Sequence, residues 1–305
     1  MIVRKSLSWQ RIAFFAGFPM LGVFALATVV TFFYELLHWK SISIGVNILS
    51  PISTALALFL GFRTNSAYDR WWEARTLWGG IVNHSRNLAR QVLTLTDAPK
   101  SDAEERTLKA FEKEMVYSQI AFVHALRCFL RQQPASDDIA PYLAPALVES
   151  LRDQKNIPQA ILLHMSERLR QAFRDGYFDS IRFTAISNTL SELTNAQGGC
   201  ERIKNTPIPR QYDFFPRLYV GIYCILLPFG LVSEMHWYTP MAAVAIGFLF
   251  FVLDSIGRNI ESPFENTIND TPMSAISRTI EINLRQMLGE KDLPSPVEPV
   301  DGFLY

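Results

Sequence analysis

Asn47, Ser50, Thr54, Leu58, Phe62 and Asn65 carry the most legible chemistry in this sequence. Steps of three and four residues put them on one face of a helix, polar at both ends and apolar toward its inner half. Amide and hydroxyl groups on such a face can replace part of an ion's water shell, and a greasy ring beyond them can gate conduction by dewetting. Asn47, Ser50 and Asn65 are therefore vestibule candidates, and Leu58 and Phe62 candidate gate residues. The same periodicity would arise if Leu58 and Phe62 only packed on a neighbouring helix.

Other chemistries find little support. No nucleophile, base or metal-ligand constellation converges, so no enzyme, metal site or cofactor is expected. His38, His84, His124, His164 and His236 form no helical pair with one another. The three cysteines, Cys128, Cys200 and Cys224, are scattered through segments read as cytoplasmic or membrane-embedded, which excludes a disulfide framework. The 29 basic and 29 acidic residues cancel, leaving no electrostatic footprint for nucleic acid.

The stripe needs a membrane-length helix to carry it. Ile42 to Phe62 has no charge, yet includes Ser43, Asn47, Ser50, Ser53 and Thr54, which is polar for a lipid-facing span. Within Phe59 to Gly79, FLGFRTNSAYDRWWEARTLWG, the chain turns charged and aromatic with no Pro to stop it. One helix is thus expected to leave the bilayer and continue into water. Ile12 to Tyr34 is a further uncharged run of 23 residues, long enough to span and too long for the apolar core of a signal peptide. Leu218 to Ser233 and Trp237 to Leu253 read as a hairpin of two short spans, with Phe214, Phe215, Tyr219, Trp237 and Tyr238 at its ends.

Four spans place Arg4, Lys5, Arg11, Arg63, Arg70, Arg75, Arg202, Lys204, Arg210, Arg217 and Arg258 on one side, so both termini are expected in the cytoplasm. The predicted organisation is spans one and two over 1–62, a helical cytosolic domain over 63–217, spans three and four over 218–260, and a cytosolic helix and tail over 261–305. Within the cytosolic domain, helices are expected to about Thr96, from a Ser101 capping box to about Gln133, from Gln159 to Arg174 and from Tyr177 to Ile203. Pro134 to Pro158 reads as interrupted, Gly176 as a break, and Thr271-Pro272 as the start of a last helix ending near Leu288. The fold class is all-α.

Four thin helices cannot enclose a pore and also bury their own core, so an ion path would run along the symmetry axis of a ring of subunits, with span two innermost. Ala55, Ala57 and Gly61 would permit the close approach such a ring needs.

Phe59 to Gly79, together with GCERIKNTPIP at Gly199 to Pro209 and ESPFENTIND at Glu261 to Asp270, resembles the bacterial branch of the bestrophin family, and the match covers essentially the whole chain. The resemblance implies a homopentamer in membrane lipid that conducts small monovalent ions. It implies a hydrophobic neck at Thr54, Leu58 and Phe62, and an inner constriction at Ile186, with Leu190 and Leu193 following on its face. It also implies an anion (chloride) channel, a cation (sodium)-selective channel of the same fold being the alternative. Asp179, Arg182, Glu192 and Arg202 are candidate vestibule charges that could act through their field, the alternative for each being an intersubunit or surface ion pair. Eukaryotic members hold calcium with an acidic run, whereas here only Glu265 and Asp270 follow Pro263-Phe264, so calcium gating is not expected. A secondary transporter, the more distant alternative, would show repeated halves and midplane charges, and neither is present. A helical scaffold is a third reading.

Overall fold

The computed structural model describes residues 9–97, 99, 101–300 and 302–304, and the side chains of 17–97, 99, 101–209, 211–300 and 302–304. Ten α-helices account for its architecture among these residues: α1 (Trp9–Glu35), α2 (Val46–Thr94), α3 (Asp102–Leu130), α4 (Ser136–Ile139), α5 (Pro145–Leu151), α6 (Ile157–Arg174), α7 (Ser180–Asn205), α8 (Arg210–Met235), α9 (Thr239–Ile260) and α10 (Met273–Met287). No strand occurs among the described residues. Arg4 and Lys5, the first of the cations expected on the cytoplasmic side, lie outside the described residues. The expected helix running through the polarity switch is present, since α2 holds 49 residues, about 73 Å at 1.5 Å per residue.

The chain forms two compact units, with boundaries at Trp71/Trp72, Thr206/Pro207 and Ser262/Pro263. One comprises α1, the first part of α2, α8 and α9. Its core joins Met20, Ala27, Leu56, Leu60, Tyr223, Leu227, Ala243 and Phe250. Three stretches in it are long and apolar enough to cross a membrane: Gly17–Glu35, the start of Lys40–Thr94, and Gln211–Ile260. The last is two helices, α8 and α9, packed on each other across a short 3₁₀ turn, His236–Tyr238. At that turn Glu35 and His236 meet at 2.6 Å, which brings the end of α1 to the α8–α9 connection.

The other unit comprises the rest of α2, α3 to α7, α10 and the tail. The apolar stripe of α3 is its centre: Phe111, Met115, Ile120, Phe122, Val123, Leu126 and Leu130 are all buried. Ser101 caps α3 as expected, Glu104 N donating to Ser101 Oγ at 3.2 Å. Gly176, at φ +82°, ends α6, with Tyr177 N donating to Ala172 O, a six-to-one bond that closes the helix. Helix α7 begins at Ser180 rather than Tyr177, because the Asp179 carboxylate accepts from Arg182 N and caps it there. The proline-rich stretch contains two short helices, α4 and α5, where the sequence pattern shows only interruption.

Glu281 of α10 is buried beside Arg278 (3.0 Å), Arg285 (3.5 Å) and His124 (3.6 Å). Burial pushes its carboxyl up, but His124, Tyr142 and Arg278 outweigh burial and hold it below the ordinary 4.5. A depressed carboxyl stabilises the fold above its unfolded pKa, and that contribution disappears as pH falls below 4.5. Glu281→Gln is therefore expected to melt earlier at pH 7 and to lose less stability between neutral pH and pH 4 than the parent. Parallel melting curves across that range would refute the assignment.

Candidate functional site

Helix α2 has two faces in the membrane-length unit. Leu49, Leu56, Leu60, Arg63 and Ala67 recur at helical period and are buried. Asn47, Ser50, Thr54, Leu58, Phe62 and Asn65 lie on the other side, and every one is exposed. Leu58 is 59% and Phe62 69% exposed, so neither packs into its own subunit. That disposes of packing within the protomer as the reason for the stripe. An apolar face this open is withdrawn from water by lipid, by another copy, or by a constriction that excludes water itself.

Near the start of the stripe, Thr54 Oγ1 donates to Ser50 O at 3.0 Å and Ser53 Oγ donates to the same carbonyl at 2.8 Å. Pro51 has no N–H, so the Asn47 carbonyl loses its usual helical donor. This end of the face thus offers amide and carbonyl acceptors, and the far end offers only hydrocarbon until Asn65.

Directly behind Phe62 sits Arg63, 2% exposed. It donates from Nη1 to Asp254 Oδ1 of α9 at 2.7 Å and from Nη2 to Asp213 Oδ1 of α8 at 2.6 Å, and its Nη2 lies 3.6 Å from Glu261 Oε2. Asp254 is equally buried and also meets Arg258 at 2.8 Å. Arg70 Nε donates to Glu261 O at 2.9 Å. At this level α9 approaches α2 closely: a Cβ on Gly257 would stand 3.2 Å from Thr64 Oγ1. In sequence, charge at span ends indicates only orientation for Arg63 and an exit charge for Asp254. The overlooked signal is that oppositely charged residues, Arg63, Asp213 and Asp254, flank the apolar runs of α2, α8 and α9.

In the other unit the inner constriction expected at Ile186 needs correction. Ile186 and Leu193 are fully buried and Leu190 nearly so, all three in the core beside α2 and α3, where no ion can touch them. The inward register of α7 is set by Ile186, Thr189, Leu190, Leu193, Ala196, Gln197, Cys200 and Ile203. Ile181, on its first turn, is 79% exposed and is the α7 aliphatic that faces out. Of the vestibule charges, Arg202 pairs with Glu73, Arg182 with Asp97, and Asp179 caps α7. Glu192 is exposed.

The Pro263–Asp270 segment closes on itself. Asp270 accepts from Thr267 N at 3.1 Å and from the Thr267 hydroxyl, while Glu265 accepts from Lys204 at 2.7 Å. The two carboxylates are thus already occupied by protein donors, in different directions.

Comparison with known proteins identifies the family. The family profile described as Bacterial/Fungal Bestrophin protein matches residues 2–286. The voltage-dependent anion channel-forming protein YneE of Salmonella typhi is 36% identical, covering 97% of this chain and 96% of its own. Its namesake from Escherichia coli K12 is 35% identical over 98% of both chains. A solved bacterial bestrophin homologue from Klebsiella pneumoniae superposes with a TM-score of 0.83 at 30% identity, over 90% of this chain and 99% of that one.

Proposed function

The chain belongs to the bacterial/fungal bestrophin family, and from that premise we propose that it is a homopentameric, anion-conducting channel of a bacterial inner membrane. Five α2 helices surround the path, with Thr54, Leu58 and Phe62 as the neck and Asn47, Ser50 and Asn65 at its two mouths. α1, α2, α8 and α9 are the four spans, both termini lie in the cytoplasm, and residues 63–217 and 261–305 form the cytosolic part. The observation that carries this reading is the outward stripe of α2, whose Leu58 and Phe62 remain largely exposed. Ala55, Ala57 and Gly61 are exposed beside it, small enough for a neighbouring α2 to approach. The inner constriction in this reading is Ile181, since Ile186 is enclosed.

Anion preference rests on the names of the relatives. Cation preference has one observation in its favour: Asp69 is exposed on the same helical face two turns beyond Phe62, and five such carboxylates would attract cations. The purified protein in a planar bilayer under a potassium chloride gradient distinguishes them. Reversal at the chloride equilibrium potential is expected, and reversal at the potassium potential would overturn the anion assignment. Saturable flux without unitary steps would overturn the channel itself.

A further inference from the structure

We propose that Arg63 is the positioning residue of the neck: its bonds to Asp254 and Asp213 fix how far α2 is rotated about its own axis, and hence where Leu58 and Phe62 point. The inference rests on the neck reading above and assigns its control. Arg63 follows Phe62 directly, so the two side chains leave the helix about 100° apart, one outward and one toward α8 and α9. A rotation of α2 that swung Phe62 off the axis would have to drag the guanidinium with it. Three carboxylates from two other helices and the end of α9 oppose that movement. Two of the bonds are short, and they arrive from different helices, which fixes the planar fork in direction as well as in place.

The two bonds are unequal. Asp254 is sealed, and Arg258 compensates it from the following turn. Asp213, in the first turn of α8, is 53% exposed and has Arg63 as its ion-pair partner among the described residues. The Arg63–Asp254 pair is therefore the pivot and Asp213 the latch reachable from water. Releasing the latch leaves the pivot and the packing of Gly257 on Thr64 intact but permits α2 to turn.

The test uses single-channel recording of the full-length protein in planar bilayers, with subunit assembly checked by native mass spectrometry. Asp213→Asn is half-exposed and keeps the pivot, so it is expected to assemble normally while changing the open-to-closed ratio about fivefold or more, the lower end of coupling between linked elements. Asp213→Glu should return the ratio toward the parent value, which a purely structural contact would not require. Leu58→Ala is recorded alongside. If Leu58→Ala raises conductance and Asp213→Asn gates like the parent, the latch is wrong and the neck stands. If Leu58→Ala leaves conductance unchanged, the neck reading fails whatever Asp213 does. An Asp213→Asn effect that Asp213→Glu does not reverse would also overturn the proposal.

Discussion

Replacing Leu58 and Phe62 together by Ala is expected to raise unitary conductance about tenfold, which corresponds to about 1.4 kcal/mol off the barrier at the proposed neck. The estimate starts from hydrocarbon. Leu58→Ala removes three carbons at about 0.8 kcal/mol each of water-avoiding surface, and Phe62→Ala removes a whole ring. Both side chains project from the subunit rather than into it, so their removal costs the fold little, and a surface substitution of this kind shifts stability by about 0.5 kcal/mol or less. The expected signature is therefore a large change in current with an unchanged melting temperature. A matching truncation at Leu60, which is buried two residues away on the other face, should do the opposite: a loss of about 2–5 kcal/mol of stability with conductance preserved in the surviving channels. Conductance insensitive to Leu58 and Phe62 would remove the neck from α2.

Much of this contrast is legible in the order of residues alone. A charge-free run with hydroxyls and amides at helical spacing can only be an unusual membrane helix, and the absence of Pro between Pro51 and Pro99 implies that it continues beyond the bilayer. Periodicity alone does not say which of two faces turns inward, because Leu56 and Leu60 are as apolar as Leu58 and Phe62. Burial decides that, with Arg63 marking the inward face by an interaction between residues 191 apart in sequence. The same ambiguity misleads at α7. Ile181 and Ile186 are five residues apart, and a helix turns about 500° over five residues, which puts them on different faces. Family resemblance points to α7, but the residue that faces out depends on how α7 docks on α2 and α3, which no local pattern encodes. The capping box at Ser101 and the Gly176 break are readable because caps are local chemistry. The helix α5 within the proline-rich stretch is not, because Pro145 sits in its first turn, where Pro favours a helix rather than breaking one.

Asp254→Ala should be the most destabilising single change in the membrane-length unit, at about 3–5 kcal/mol, the usual cost of removing one partner of a buried ion pair. Asp254 and Arg63 are both 2% exposed, so the arginine left behind cannot recover its loss from water, and Asp213 and Glu261 reach only one of its terminal nitrogens. Arg258 loses its partner in the same substitution. Against a total stability of about 5–15 kcal/mol, such a loss is visible as a large fall in the melting temperature of the protein in detergent. The pair itself need not be stabilising, however, because desolvating two charges offsets most of their attraction. Arg63→Met combined with Asp254→Leu removes both charges and keeps the volume, so the double variant is expected to be more stable than Asp254→Ala alone, with a favourable coupling of about 0.5–3 kcal/mol between the sites. Its channel behaviour should nevertheless differ from the parent's, since an apolar pair fills the space between α2 and α9 without fixing a direction. A double variant that melts at the sum of the two single losses would mean that Arg63 and Asp254 act on stability independently, and would leave the convergence of charges at this end of α2 without an energetic role.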